Sequence, residues 1–138
     1  MTRLFLDTNV VMDMLQRREP FFLAAANLFA LSAAGKVELF ASPMTYATAS
    51  YLIGKKDLAS VKPLLSQLRT LSRVTIADEE TIDQALSSSF ADYEDGLQHF
   101  SALRHHVDYI ITRNKDDFSH AQVKVLTPIE FLDSVSLD

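Results

Sequence analysis

Short apolar runs alternate with helical patterns along the chain, and this alternation limits the folds that the chain can adopt. Five runs are typical of strands, at residues 4–6, 37–41, 74–77, 109–112 and 123–126. The segments between them have the apolar spacing or the capping residues of helices. Strands separated by helices pair in parallel through right-handed crossovers. We therefore predict an α/β domain of three layers, with a central, mostly parallel five-stranded sheet flanked by helices.

Residues that start or stop helices indicate the other elements. Pro20 suits the first turn of a helix that ends at Gly35. Further helices are predicted at residues 10–15, 43–54, 79–88 with Asp78 as its cap, and from Asp92 onward. The most regular amphipathic pattern, which we assign to the core, is Val61, Leu64, Leu65, Leu68 and Leu71. A capping box with proline at the first helical position starts the last helix, at Thr127-Pro128-Ile129-Glu130.

Acidic residues occur at three separate positions where predicted strands end or helices begin. Asp7 ends the first strand, Asp92-Tyr93-Glu94-Asp95 opens a helix, and a polar loop at residues 112–118 follows the fourth strand. In open α/β sheets the carboxyl ends of the strands face a crevice where ligands bind. Three acidic positions on separate elements therefore suggest one divalent-metal site assembled by the fold.

Asp7 and Asp92 also have structural explanations. Asp7 could cap the following helix through the N–H of Val10 or Val11, and the sequence does not decide between capping and catalysis. Asn9 could hold the same turn or orient the Asp7 carboxylate. Asp92 is better explained as an N-cap, because acids favour the positive end of a helix. We therefore give Asp92 a supporting role.

Asp95 and Asp117 are the acids whose directions are most constrained. Asp95 lies just before the apolar face of its helix and should lean toward the edge of the sheet, whereas Glu94 should point elsewhere and be solvated. Asp117 is next to Phe118, whose burial would fix the direction of its neighbour. Asn114 stands at the strand end, where an amide could bind a metal-bound water or a phosphate.

The sequence offers little for other chemistries. The chain has no cysteine, which excludes disulfides, thiolate nucleophiles and zinc-thiolate sites. Its three glycines form no phosphate-binding loop, and its four histidines lack metalloprotease spacing. Ligands that are all oxygen favour Mg²⁺ or Mn²⁺. Arg113 and Lys115 could contact RNA phosphates or could simply be solvated.

Composition and charge set the broad class of the protein. The 138 residues suffice for a single domain, residues 1–138, and 48% of them are hydrophobic. No apolar run approaches the ~18 residues of a membrane span, and the start of the chain lacks the apolar core of a signal peptide. We expect a cytoplasmic protein that does not contact a membrane. The net charge of −5 argues mildly against a nucleic-acid partner, although bound cations would change the local sign.

Three motifs in this order resemble those of the PIN domain family, and within it most closely the VapC-type toxins or plain PIN-domain proteins. They are Phe5-Leu6-Asp7-Thr8-Asn9-Val10-Val11-Met12-Asp13, Asp92-Tyr93-Glu94-Asp95-Gly96-Leu97-Gln98 and Thr112-Arg113-Asn114-Lys115-Asp116-Asp117-Phe118. The resemblance covers nearly the whole chain. It implies a metal-dependent endoribonuclease, an antitoxin protein bound in an apolar groove between helices, and a homodimer.

The resemblance also implies roles for individual residues. Asp7 and Asp95 correspond to metal ligands of the family. The last acid of the family lies in the third motif, where Asn114 follows Arg113 here, and we assign its role to the carboxylate of Asp117. One departure is Thr48, which stands where many members carry a glutamate that would help to hold a second metal.

Two hypotheses follow from the sequence. In the first, Asp7, Asp95 and Asp117, with Asn114, bind one or two Mg²⁺ ions that activate water for RNA cleavage. The three carboxylates favour a single ion, or a second ion that binds only with substrate, over a preformed pair. In the second, the replacement of glutamate by Thr48 has left a module that binds RNA or a partner protein without cleavage.

Overall fold

Five parallel strands form one sheet in the order β3-β2-β1-β4-β5. The computed structural model describes residues 1–135. The strands are β1 (Thr2–Leu6), β2 (Val37–Ala41), β3 (Arg73–Val74), β4 (Tyr109–Ile111) and β5 (Lys124–Leu126). The predicted five-stranded sheet is confirmed, and all four pairings are parallel. The third strand has only two residues and does not continue to residue 77 as predicted. Its last contact with β2 is the hydrogen bond from the Thr75 N–H to the carbonyl oxygen of Ala41 at 2.9 Å.

Seven α-helices are present in the described part of the chain, residues 1–135. They are α1 (Thr8–Leu15), α2 (Phe22–Ala33), α3 (Pro43–Lys56), α4 (Val61–Leu71), α5 (Glu79–Leu86), α6 (Tyr93–Leu103) and α7 (Pro128–Ser134). Two short 3₁₀ turns are at Leu58–Ser60 and Lys115–Phe118. None of the helices described is long and apolar enough to cross a membrane.

The central strand β1 contributes to two separate cores. Leu4 and Leu6 pack with residues of α1, α2, α3, α4 and α7 in one cluster. Phe5 packs in the second cluster with Ala102 of α6 and with Phe118. This division follows from the strand itself, since successive side chains point to opposite faces of a sheet. The result is the three-layer arrangement that the sequence predicted.

Most predicted helix signals are confirmed, with one error at the start of α2. Gly35 ends that helix at φ +72°, the left-handed conformation expected after a helix. Pro20, however, lies in the turn before α2 and not in its first helical turn. The N–H of Phe21 closes that turn onto the carbonyl oxygen of Arg18, and the helix begins only at Phe22.

The amphipathic pattern of α4 and the capping box of α7 behave as predicted. Leu68 is fully buried, and Leu64, Leu65 and Leu71 pack partly buried against the first core. At the start of α7 the hydroxyl of Thr127 accepts the Glu130 N–H, and the Glu130 carboxylate accepts the Thr127 N–H.

Two glycine substitutions should change stability in opposite directions. A Cβ at Gly35 would meet no atom within 4 Å, so Gly35→Ala should cost about 1 kcal/mol through left-handed backbone strain alone. Gly54 lies inside α3 with ordinary contacts around its added Cβ, so Gly54→Ala should stabilise by about 0.5–1 kcal/mol. Urea unfolding measures both. A stabilising Gly35→Ala would contradict the assignment of this cap.

Candidate active site

Asp7 combines the two roles that the sequence left open. It stands directly after β1 and caps α1, where one carboxylate oxygen accepts the Thr8 N–H at 2.8 Å. The cap is not made through Val10 or Val11, whose N–H groups bond the main-chain oxygen of Asp7. The other carboxylate oxygen accepts the hydroxyl of Thr112 at 2.9 Å. Asp7 is therefore buried and oriented, with 8% of its surface exposed.

A cavity of about 190 Å³ opens at the carboxyl edge of the sheet and brings the predicted acids together. Asp7, Asp95 and Asp117 all line it, and so do the predicted supporting residues Asn9 and Thr48. The remaining lining residues are Thr8, Met44, Glu94 and Gln98. No histidine within residues 1–135 lines this cavity. We refer to it as the acidic cavity.

Crowding of carboxylates changes the proton affinity of Asp95. Its pKa is raised to about 7, first by burial and then by the negative charges of Asp92, Asp117, Asp7 and Glu94. The pKa of Asp7 is also raised, mainly by burial, with Asp117 adding to the rise. A bound cation would relieve this repulsion and favour the ionised carboxylates.

The first turn of α6 confirms one expectation and corrects another. Asp92 is the N-cap, and its carboxylate accepts the Asp95 N–H at 3.1 Å. Glu94 is exposed, but it does not point away from the site as expected, since it lines the acidic cavity. Gly96 lets this turn approach the preceding loop, because a Cβ there would lie 3.3 Å from Cβ of Phe90.

The donor atoms fit a hard divalent cation in kind, although they are not gathered around a single point. Carboxylate oxygens are the ligands that Mg²⁺ and Mn²⁺ prefer. Across residues 1–135, no group of three or more histidine, aspartate or glutamate side chains is close enough together to hold a metal ion. Asp117 is exposed on a 3₁₀ turn, so the third carboxylate is the least fixed.

Asn114 does not share the acidic cavity. It lines an adjacent polar depression with Arg113, Lys115, Asp116 and Thr127, and Asp117 borders both. The sequence grouped Asn114 with the acids because it directly follows the strand. Asn114 instead caps the 3₁₀ turn Lys115–Phe118 and belongs to the neighbouring surface.

The two cations predicted to contact RNA already have acidic partners. Arg113 binds the buried carboxylate of Asp13 at 2.8 Å and lies over the ring of Phe21. Lys115 binds Glu130 at 3.1 Å in an exposed pair. Lys115 is the more accessible of the two, because exposed ion pairs are weak and exchange readily with other anions.

Sequence reasoning missed Gln98, which forms one side of the acidic cavity. Its buried amide accepts a hydrogen bond from the hydroxyl of Ser42 and donates to the hydroxyls of Thr8 and Thr45, at 3.0 and 3.2 Å. These bonds join α1, α3 and α6 beneath the carboxylates. A signal was available, since Gln98 lies three residues after Asp95 and so shares its helical face.

The arrangement defines an α/β domain with an acidic site at the carboxyl ends of β1 and β4. Among known families, the PIN domain matches residues 3–116. The chain belongs to the PIN domain family, as the three sequence motifs suggested. No protein of curated function matches the chain.

Solved structures with the same fold come from several bacterial proteins. VapBC2 from Rickettsia felis, bound to a DNA fragment from its promoter, is 14% identical with a TM-score of 0.66, covering 91% of this chain and 97% of the other. FitAB bound to the IR36 DNA fragment is 20% identical with a TM-score of 0.70, covering 91% and 94%. VapBC-1 from nontypeable Haemophilus influenzae is 15% identical with a TM-score of 0.66, covering 93% and 99%. At these identities the likeness establishes the fold.

Asp95→Asn should stabilise the metal-free protein at neutral pH. Between about pH 4 and 7 the native protein keeps a proton on Asp95 that the unfolded chain has released, so stability falls as the pH rises. The asparagine side chain does not titrate, so the variant should not lose stability in this way as the pH rises. Thermal unfolding with a chelator should show a higher Tm for the variant at pH 7.5 and little change near pH 4. A stabilisation of about 1 kcal/mol would raise the Tm by roughly 2–8 °C.

The matched control for this experiment is Asp116→Asn, which changes an exposed acid outside the acidic cavity. It should give a small effect that is similar at both pH values. An Asp95→Asn variant without a gain in Tm at pH 7.5 would show that the carboxylates do not repel one another as described.

Proposed function

We propose that this PIN domain is an endoribonuclease that hydrolyses RNA phosphodiester bonds with Mg²⁺ or Mn²⁺. The observation that carries the proposal is the acidic cavity, which Asp7, Asp95 and Asp117 line from three different elements. The general association of the PIN family with nucleases supports the reaction class. Oxygen ligands support the choice of metal.

The side chains of the acidic cavity suit distinct tasks in this reaction. A bound divalent ion would lower the pKa of a water ligand and neutralise charge on the phosphate. Asp7 is the most fixed carboxylate, because Thr8 and Thr112 donate to its two oxygens. Asp95 would lose its proton on metal loading, so that metal affinity would rise with pH. Lys115 is the accessible cation next to Asp117 and suits an RNA phosphate.

We further propose that the protein acts in the cytoplasm as the toxin of a type II toxin–antitoxin pair and forms a homodimer. VapBC2 and FitAB, which share the fold, were solved as complexes with DNA, and another structural neighbour is a toxin–antitoxin complex from Klebsiella pneumoniae. An apolar cavity of about 350 Å³ lies between α2 and α7, lined in part by Phe21, Ala24 and Ile129. It is a suitable groove for the antitoxin.

A second candidate function is a module that binds RNA or a partner without cleavage. Two observations favour it: Thr48 occupies the cavity position where many family members carry glutamate, and the described acids form no preassembled metal cluster. Calorimetry with Mn²⁺ distinguishes the two functions. The nuclease should bind the ion at or below millimolar concentration, and the non-cleaving module should not.

Cleavage should depend on each of the three carboxylates. With a labelled RNA and Mg²⁺, Asp7→Asn, Asp95→Asn and Asp117→Asn should each lower kcat by at least about 100-fold, since each amide removes an anionic ligand. Asp116→Asn is the matched control and should retain activity. Chelation of the metal should stop cleavage, and added Mn²⁺ should restore it. Full activity of Asp7→Asn or Asp95→Asn would refute the assignment.

A further inference from the structure

Asp13 is a buried acid outside the acidic cavity. It lies on α1 with 2% of its side chain exposed, and its two oxygens accept Nε and Nη2 of Arg113 at 2.8 and 3.3 Å. A two-point contact of this kind fixes the plane of the guanidinium as well as its position. The ring of Phe21 lies 3.9 Å from the guanidinium carbon. Arg113 is thus held by a carboxylate and an aromatic ring together.

Arg113 is joined to the acidic cavity through its neighbours in the chain. The preceding residue, Thr112, donates its hydroxyl to Asp7 at 2.9 Å and accepts the Asn114 N–H at 3.1 Å. The carbonyl oxygen of Asn114 then accepts the Asp117 N–H at 3.1 Å. A continuous set of hydrogen bonds therefore runs from Asp7 to Asp117 around Arg113. A displacement of Arg113 would shift the orienting hydroxyl and the third carboxylate together.

Stability alone is a poor explanation for this ion pair. Burial raises the pKa of Asp13, and the charge and hydrogen bonds of Arg113 oppose that rise. Buried ion pairs can often be replaced by apolar residues without loss of stability. The same segment is also packed into the second core by Phe118, which is 1% exposed. What the pair adds to this packing is a defined orientation.

We propose that Asp13 and Arg113 are positioning residues, whose ion pair orients residues 112–117 so that Thr112 holds Asp7 and Asp117 borders the acidic cavity. The inference rests on the proposed function for its effect on catalysis. Its structural part concerns only the segment between Thr112 and Asp117.

The double variant Asp13→Leu/Arg113→Met separates positioning from stability. Asp13→Asn alone leaves the arginine charge without its carboxylate and should lose both stability and Mn²⁺ affinity. The double variant replaces the pair by apolar side chains and should regain the urea midpoint of the wild type. Its Mn²⁺ affinity by calorimetry should still be about 10- to 100-fold weaker, the effect typical of residues that orient metal ligands. Its kcat should fall similarly, with little change in KM.

A matched control tests an ion pair at the opposite end of β1. Arg3 and Glu38 form a half-exposed pair at 3.4 Å, far along the strand from Asp7. Arg3→Met/Glu38→Leu should leave Mn²⁺ affinity and kcat at wild-type values. Arg113→Lys keeps the charge but loses the two-point contact. It should fold and show a smaller loss of Mn²⁺ affinity, which provides the test should the double variant fail to fold.

Amide hydrogen exchange without metal gives a readout that does not depend on the proposed function. The N–H groups of Asn114 and Asp117 should exchange faster in the double variant, whereas those of β1 should be unchanged. If the wild type neither binds Mn²⁺ nor cleaves RNA, the proposed function fails, and exchange at these two amides alone decides on positioning. The inference would be overturned if a stable double variant showed the exchange rates of the wild type at Asn114 and Asp117 and also bound Mn²⁺ as tightly as the wild type.

Discussion

The parallel pairing of β1 with β4 is the constraint on which the site depends. Leu6 is in register with Ile111, and the Asp7 N–H donates to the carbonyl oxygen of Ile111 at 2.9 Å. These bonds place the residue after β1 beside the residue after β4, which is Thr112. The orienting hydroxyl of Thr112 and the Asp7 carboxylate therefore meet because two strands end at the same level, although 105 positions separate them in the chain.

Around this pairing, the described part of the chain concentrates carboxylates, and the charge of Arg113 only partly offsets the rise in the pKa of Asp7. Thr8 and Thr112 supply hydrogen bonds to Asp7, while Asp95 faces other carboxylates and has its pKa raised to about 7. An arrangement of this kind costs stability, as is common at functional sites. The guanidinium of Arg113 forms its ion pair with Asp13 and not with the acids of the cavity. The carboxylates of the cavity therefore repel one another, and a bound divalent ion would reduce that repulsion.

The sequence predicted the fold well because alternating strands and helices allow few topologies. It also predicted that Asp7, Asp95 and Asp117 would meet at one edge of the sheet, and all three line the acidic cavity. The ends of β1 and β4 bring Asp7 and Asp117 to this edge, and the first turn of α6 brings Asp95. The sequence was a poor guide where the direction or the partner of a side chain depends on tertiary contacts. Glu94 is solvated as expected but lines the cavity, although helix spacing suggested that it points elsewhere. Asn114 belongs to the adjacent depression, and the partner of Arg113 lies 100 positions away. No local pattern contains those contacts. RNA contact by Lys115 involves a second molecule, so it stays a prediction.

The division of β1 between two cores has a consequence for the dynamics of the molecule. Leu4 and Leu6 belong to one cluster, whereas Phe5 belongs to the other. If partial unfolding loosens one helical layer, β1 is still packed against the other layer. We therefore expect β1 to be among the last segments to unfold. The aspartate at its end is consequently kept in place through sub-global fluctuations, while Asp95 and Asp117, each attached to one layer, move with the layer that carries them.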